Sequence, residues 1–126
     1  MKIALDIDGV TVSEYSRLFN ILTTIFKKSS DIEIFIISSR ENSKSSRKET
    51  IQELKELDIF YDHLILTDNK KQVIEENSID LFIDNEIENF QGLGSNVCCM
   101  LLREQMNYCW ETDRFLGSKK TVKMID

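Results

Sequence analysis

Two aspartates spaced two residues apart, Asp6 and Asp8, end the apolar run 1–10, M-K-I-A-L-D-I-D-G-V, with Gly9 between Asp8 and Val10. On a strand, side chains at i and i+2 share a face, so both carboxylates point the same way as the strand ends. Gly9 lets the chain turn sharply there. Two like charges on one face repel each other and are costly to desolvate unless a cation or donor compensates them; a bound divalent metal is the simplest compensation. Further polar residues close other apolar runs: Ser38 and Ser39 follow I-E-I-F-I-I, and Asp84 follows D-L-F-I. Lys70 and Lys71 open a helical segment, where the helix dipole disfavours cations, so the pair points to an anionic partner.

The elements that must position these residues read in order along the chain. The first run, uncharged for several residues before Asp6, suits an interior strand of a parallel sheet covered on both sides. Ser13 is an expected N-cap for a helix bearing Tyr15, Leu18, Phe19, Leu22, Ile25 and Phe26 at helical spacing, with Lys27 and Lys28 in its last turn. Residues 31–38 form a second strand. A polar segment over 39–46 leads to a second helix, with Ser46 and Glu49 at capping-box spacing and Ile51, Leu54 and Leu57 as its apolar stripe. A short strand over 64–67 is followed by a helix over 70–77 that faces Val73 and Ile74 inward. Residues 80–84 make a fourth strand, 86–91 a brief helical stretch broken by Gly92 and Gly94, and 97–102 a fifth strand. Residues 121–125 are expected to add a short edge strand. Alternating strands and helices predict an α/β fold, a doubly wound parallel sheet with right-handed crossovers. Strands one, two and four then end in polar residues at one edge, where ligands gather in such sheets.

A chain of 126 residues makes a single domain, 1–126, which buries about two-thirds of the surface its unfolded form exposes. Hydrophobic content of 41% and charged content of 30% are ordinary for a globular protein. No apolar run approaches the ~18 residues of a membrane span, and the N-terminus enters a strand rather than a signal peptide, so the expectation is a cytoplasmic protein with no membrane partner. Cys98, Cys99 and Cys109 lack metal or redox spacing and are read as reduced core residues. A net charge of −6 argues against broad binding to nucleic acid or anionic membranes, while local basic clusters remain open.

The first ten residues resemble the first motif of the haloacid dehalogenase superfamily, an apolar strand followed by D-x-D-G-(T/V), matched by Asp6, Asp8, Gly9 and Val10. The resemblance extends along most of the chain. I-I-S-S-R resembles the second motif, a Ser or Thr ending the second strand, and favours Ser38 over Ser39. Lys70, fourteen residues before Asp84, suits the lysine motif better than Lys71, and F-I-D-N resembles the acidic motif ending the fourth strand. The family implies a Rossmann-like core with strand order 3-2-1-4-5, in which these motifs meet. One departure is Asn85, where the family commonly has a second acidic residue; it would hydrogen-bond a metal-bound water without adding charge, and Glu88 is the expected substitute.

For a phosphate monoester, the resemblance implies a role for each position. Asp6 is the nucleophile that forms an aspartyl-phosphate, and Asp8 protonates the leaving oxygen and later deprotonates water. Mg2+ is implied, held by Asp6, the Asp8 backbone carbonyl and Asp84. Ser38 and backbone N–H groups hold phosphoryl oxygens, and Lys70 places positive charge opposite them. The presence of both aspartates favours a phosphatase over a dehalogenase. Neither customary insertion point has room for a cap domain. The open site of a capless member suits large substrates such as nucleic-acid ends or phosphoproteins, or small ones when a homo-oligomeric neighbour closes the cleft.

The segment S-S-R-E-N-S, with Thr50, Leu54 and Y-D-H-L, is similar to polynucleotide 3′-phosphatases and small nucleotidase-like members. It implies a nucleotide or nucleic-acid-end substrate, with Gly9, Ser39, Arg40 and Lys71 near the bound group and Arg40 placed for a second phosphate. His63 reads as structural. Trp110, Tyr108 and Phe115 read as cover for one face of the sheet, and Asn107 and Tyr108 as candidates for the site edge. A receiver domain would need its Asp where Thr67 stands and its lysine near Arg103. A catalytically weak or inactive binding protein on the same fold would account for Asn85, yet has little reason to keep Asp8.

Overall fold

The computed structural model describes residues 1–105 and 108–115; Asn107 and the strand expected over 121–125 lie outside the described residues. Five parallel strands, β1 (Lys2–Leu5), β2 (Glu33–Ser38), β3 (His63–Leu66), β4 (Leu81–Asp84) and β5 (Cys98–Leu101), form one sheet in the order β3-β2-β1-β4-β5. Between them run α1 (Ser16–Lys27), α2 (Lys44–Glu56) and α3 (Lys70–Glu76), with a 3-10 turn over Ile87–Phe90 after β4. No cap domain interrupts β1 to α1 or β3 to α3. A small antiparallel pair, β6 (Tyr108–Cys109) and β7 (Arg114–Phe115), follows the sheet. Among the described residues no helix is long and apolar enough to cross a membrane.

The sheet carries a core on each face because its strands alternate large apolar residues on both sides. Ile3, Leu5, Ile34, Ile36, Leu64 and Leu66 join Phe19 of α1 and Leu54 of α2 in one cluster. Ala4, Phe35, Ile37 and Phe82 join Ile74 of α3 in the other. This two-sided burial holds the central strands, β1, β2 and β4, in fixed register: Leu5 lies opposite Ile36 on one side and Ile83 on the other. The ladder runs one step further, with the Asp6 N–H donating to the Ile83 carbonyl at 3.1 Å. That last rung sets Asp6 beside Asp84.

Several local expectations differ from the structure. The Ser13 hydroxyl accepts from the Tyr15 N–H at 3.0 Å and donates to the Val10 carbonyl at 2.7 Å, so it closes a turn ahead of α1, which begins at Ser16 without a side-chain cap. Ser43, not Ser46, caps α2 by accepting from the Ser46 N–H at 3.2 Å. Cys98 and Cys99 are exposed, because β5 is the outermost strand of the sheet; Cys109 is buried. Trp110 and Phe115 are exposed and cluster around Tyr108, with ring centroids 4.5 and 4.8 Å away, in place of covering the sheet. His63 stacks on Phe35 at 4.5 Å and pairs with Glu33, a structural placement on β3.

Candidate active site

The site lies at the carboxyl ends of β1, β2 and β4, where the strand order reverses direction around β1, the usual ligand position in a doubly wound sheet. After Leu5 the chain folds back on itself. The Val10 and Val12 N–H groups both donate to the Ile7 carbonyl, at 3.1 and 2.8 Å, and Thr11 donates through its N–H and its hydroxyl to the Asp6 carbonyl at 3.3 and 3.1 Å. Thr11 is fully buried, so the loop that carries Asp6 and Asp8 is fixed from within.

Gly9 is required at its place in this loop. Its φ is +85°, and a Cβ there would lie 2.0 Å from Nδ2 of Asn85. Asn85 is itself buried directly after β4. The residue that departs from the acidic pattern therefore packs its side chain against the turn of the D-x-D loop. The Gly9 N–H donates to the Val12 carbonyl at 3.1 Å.

Lys70 sits at the centre. Asn69 caps α3 by accepting from the Gln72 N–H at 3.2 Å, which starts the helix at Lys70. From there the Lys70 ammonium reaches Asp6 at 2.9 Å and Asp84 at 3.0 Å. All three side chains are buried, 7%, 8% and 0% exposed respectively. Lys71, the next residue, points away: its side chain is half-exposed and lies 4.0 Å from Glu75. Asp84 takes two further donors, the Glu86 N–H at 2.9 Å and the Asn89 amide at 3.0 Å. Glu88 is exposed. Asn89, on the 3-10 turn, is the residue that holds Asp84 from that side, and nothing in the spacing of the sequence marks it.

The Lys70 ammonium faces two buried carboxylates. Burial pushes the Asp6 carboxyl up to about 6; Lys70 pulls it back and Asp84 adds to the rise. Burial also disfavours the Lys70 charge, but the two carboxylates outweigh it and hold its pKa above the ordinary lysine value. Among the described residues no three His, Cys, Asp or Glu side chains gather into a metal cluster. A divalent ion here would rest on the Asp6 and Asp84 carboxylates and fill its shell with backbone carbonyl and water oxygens. That all-oxygen donor set fits Mg2+, which keeps several waters and takes one or two carboxylates.

Asp8 stands at the mouth of the site with its side chain 65% exposed. Arg40 grips it with a two-pronged fork, Nε to one carboxylate oxygen at 2.9 Å and a terminal nitrogen to the other at 2.7 Å. The remaining terminal nitrogen donates to Glu53 at 2.8 Å and Thr50 at 3.3 Å on α2. The hydrogen bonds it donates to Asp8, against the effect of burial and with help from Glu53, hold the guanidinium above its usual pKa range. Arg40 is thus engaged by the protein's own carboxylates, and Glu53 is a second residue that sequence reading passes over. Ser38 is buried at the end of β2, with its hydroxyl accepting from the Arg40 N–H at 3.1 Å. Ser39 is exposed and lines a neighbouring cavity. Asp6, Asp8, Ser38, Arg40, Lys70 and Asp84 share one edge of the sheet; Lys71 stands apart from the Asp6–Lys70–Asp84 cluster.

No family model matches the sequence, and no curated protein matches it. Among solved structures, the chain is similar to a chain of the Pnkp1/Rnl/Hen1 RNA repair complex, with a TM-score of 0.61 and 18% identity over 80% of this chain and 42% of that one. A second structure of the Pnkp1/Rnl/Hen1 complex gives a TM-score of 0.59 at 18% identity, over 80% of this chain and 45% of the other. The chain therefore spans less than half the length of the chains it resembles, and what it shares with them is the fold.

Proposed function

We propose that this chain is a phosphomonoester hydrolase that passes the phosphoryl group through Asp6. The observation that carries the reading is the buried Asp6–Lys70–Asp84 cluster at the sheet edge, with Asp8 two residues beyond the nucleophile and open to substrate. In the first step a carboxylate oxygen of Asp6 attacks phosphorus, the bond from phosphorus to the leaving oxygen breaks, and Asp8 gives that oxygen a proton. In the second, Asp8 takes a proton from water as the water oxygen bonds to phosphorus and the bond from phosphorus to Asp6 breaks, which releases inorganic phosphate and restores the Asp6 carboxylate. The fork from Arg40 fixes the orientation of Asp8 for both steps. Lys70 keeps Asp6 in place and offers positive charge against the phosphoryl oxygens, and Ser38 borders the same space. Mg2+, held by Asp6, Asp84 and the Asp8 carbonyl, would offset the repulsion between a carboxylate and a phosphate dianion.

The resemblance of fold to chains of an RNA repair complex supports a phosphorylated nucleic-acid end or nucleotide as substrate over a phosphoprotein. The experiment is hydrolysis of an aryl phosphate by the wild type with Mg2+, with EDTA, and by Asp6→Asn. Turnover with Mg2+ that EDTA and the substitution both abolish is the expected result. A folded wild type without turnover on aryl or nucleotide phosphates would leave the fold as a binding module.

A further inference from the structure

A cavity of about 340 Å³ opens between the loop after β2 and the loop after β3, lined by Ser39, Arg40, Glu41, Asn42, Thr67 and Asp68 among others. Its position ties it to the site. Ser39 and Arg40 directly follow Ser38, and Thr67 and Asp68 lie just ahead of Lys70. The two walls are fixed to each other, since the Thr67 N–H donates to the Ser38 carbonyl at 2.8 Å, and the Thr67 hydroxyl accepts from the Asn69 N–H at 3.0 Å at the start of α3. Arg40, which lines this cavity, also holds Asp8, so the cavity adjoins the side of the site from which Asp8 would meet the ester oxygen.

The lining is unlike a phosphate subsite. Its cation, Arg40, already donates to Asp8, Thr50 and Glu53. Glu41 and Asp68 are exposed, and among the described residues neither side chain takes part in an ion pair or hydrogen bond. Carboxylates repel a second phosphate and accept strongly from hydroxyl groups. Hydroxyl and amide groups on Ser39, Asn42 and Thr67 add donors and acceptors. At about 30 Å³ per water, the volume equals roughly ten waters, enough for a pentose ring with its hydroxyls.

Resting on the hydrolase reading, we propose that this cavity receives the leaving group of the substrate, that the group is an uncharged sugar with a free hydroxyl next to the phosphate ester, and that Glu41 and Asp68 accept from that sugar. The site thereby favours a ribose monophosphate over its deoxy counterpart, and a single phosphate over a bisphosphate.

The test compares kcat/KM for adenosine 3′-monophosphate, its 2′-deoxy analogue and adenosine 3′,5′-bisphosphate in the wild type, Glu41→Ala, Asp68→Ala and the double variant. Each variant is first checked for an unchanged melting temperature, which its exposed loop position allows. The wild type is expected to prefer the ribose over the deoxyribose substrate by about tenfold or more, the size of a hydrogen bond to a charged acceptor. The double variant is expected to bring that ratio towards one and to raise the bisphosphate relative to the monophosphate. A wild type blind to the 2′-hydroxyl, or a double variant with both ratios unchanged, overturns the assignment while aryl phosphate turnover persists. A folded wild type inactive on the aryl phosphate and on all three nucleotides overturns the hydrolase reading and this inference with it.

Discussion

Replacing Lys70 with Met tests the electrostatics on which the site depends. Met retains most of the apolar stem and removes the ammonium that donates to Asp6 at 2.9 Å and to Asp84 at 3.0 Å, leaving two buried carboxylates face to face. At an effective dielectric of about 20, each of those contacts is worth about 6 kcal/mol of gross attraction, much of it offset by the cost of dehydrating the lysine. Experience with buried pairs that lose one partner puts the net penalty at about 3–5 kcal/mol, a fall of about 10–20 °C in Tm for a chain of this size. The pH dependence has a definite sign. Burial has already raised Asp6 from its ordinary 3.8 to about 6, and losing Lys70 removes the main influence that lowers it. A carboxyl whose folded pKa lies above its unfolded value binds its proton more tightly when folded, so its contribution to stability falls as pH rises from about 4 through the folded pKa. The variant's penalty should therefore be larger at pH 8 than at pH 5, where one carboxyl takes up a proton. Urea denaturation of both proteins in EDTA at the two pH values measures this. A penalty below about 1 kcal/mol, or one that grows on acidification, would refute the picture of two carboxylates sharing one ammonium.

Three other outcomes follow from the same geometry. Gly9→Ala should lose about 1–2 kcal/mol from the left-handed backbone alone, and more from the clash with Asn85, so that Gly9→Ala with Asn85→Ala recovers part of the loss in a thermal melt. Arg40→Lys keeps the charge but not the fork on Asp8; stability should change by about 1 kcal/mol or less, while turnover drops by about 10–100-fold because Asp8 is no longer held in one orientation, a split that denaturation and kinetics on the same sample will reveal. Although burial works to raise it, the Asp62 carboxyl lies below its ordinary pKa because it accepts from the Ile34 N–H at 2.8 Å and pairs with Lys27 at 3.2 Å. Its contribution is complete above the unfolded value near 3.8 and is lost as pH falls through the lower folded value, so Asp62→Asn should be less stable than the wild type at neutral pH and converge with it in acid denaturation curves.

The strands were legible because their physics is local. Runs such as I-A-L and I-F-I-I have one environment on each face, and that two-sided burial is what a central parallel strand provides. Asp6, Asp8, Ser38 and Asp84 were legible for the same reason, since each ends such a run. The fifth strand was legible as a strand, but the exposure of its cysteines was not: V-C-C-M-L is as apolar as a central strand, and the order of the sheet leaves Cys98 and Cys99 uncovered. The capping-box spacing pointed to Ser46, whereas Ser43 caps α2, because serines of the same chemistry stand within one turn of each other. The supporting residues depend on tertiary placement. Asn89 reaches Asp84 only because the 3-10 turn curls back over the end of β4. Glu53 had a weak local signal, three residues from Thr50 on one helix face, but its partner Arg40 arrives from the loop after β2.

The partners of Arg40 show what placement adds to a reading drawn from type and position. A free arginine beside a phosphate site would recruit a second phosphate, whereas an arginine held by Asp8, Thr50 and Glu53 orients a carboxylate. The buried amide of Asn85 illustrates the same point. Where a second acid would add charge, it packs against Gly9 and holds the turn that carries Asp8.

The central claim is that Asp6 becomes phosphorylated during turnover. Acid quenching of the wild type during hydrolysis of an aryl phosphate with Mg2+, followed by mass mapping of its peptides, reads this directly. The account predicts one phosphoryl group on the peptide containing Asp6, chased away by further incubation before the quench and absent from Asp6→Asn. Sustained turnover with no phosphorylated enzyme, or with the group on any other residue, would contradict it.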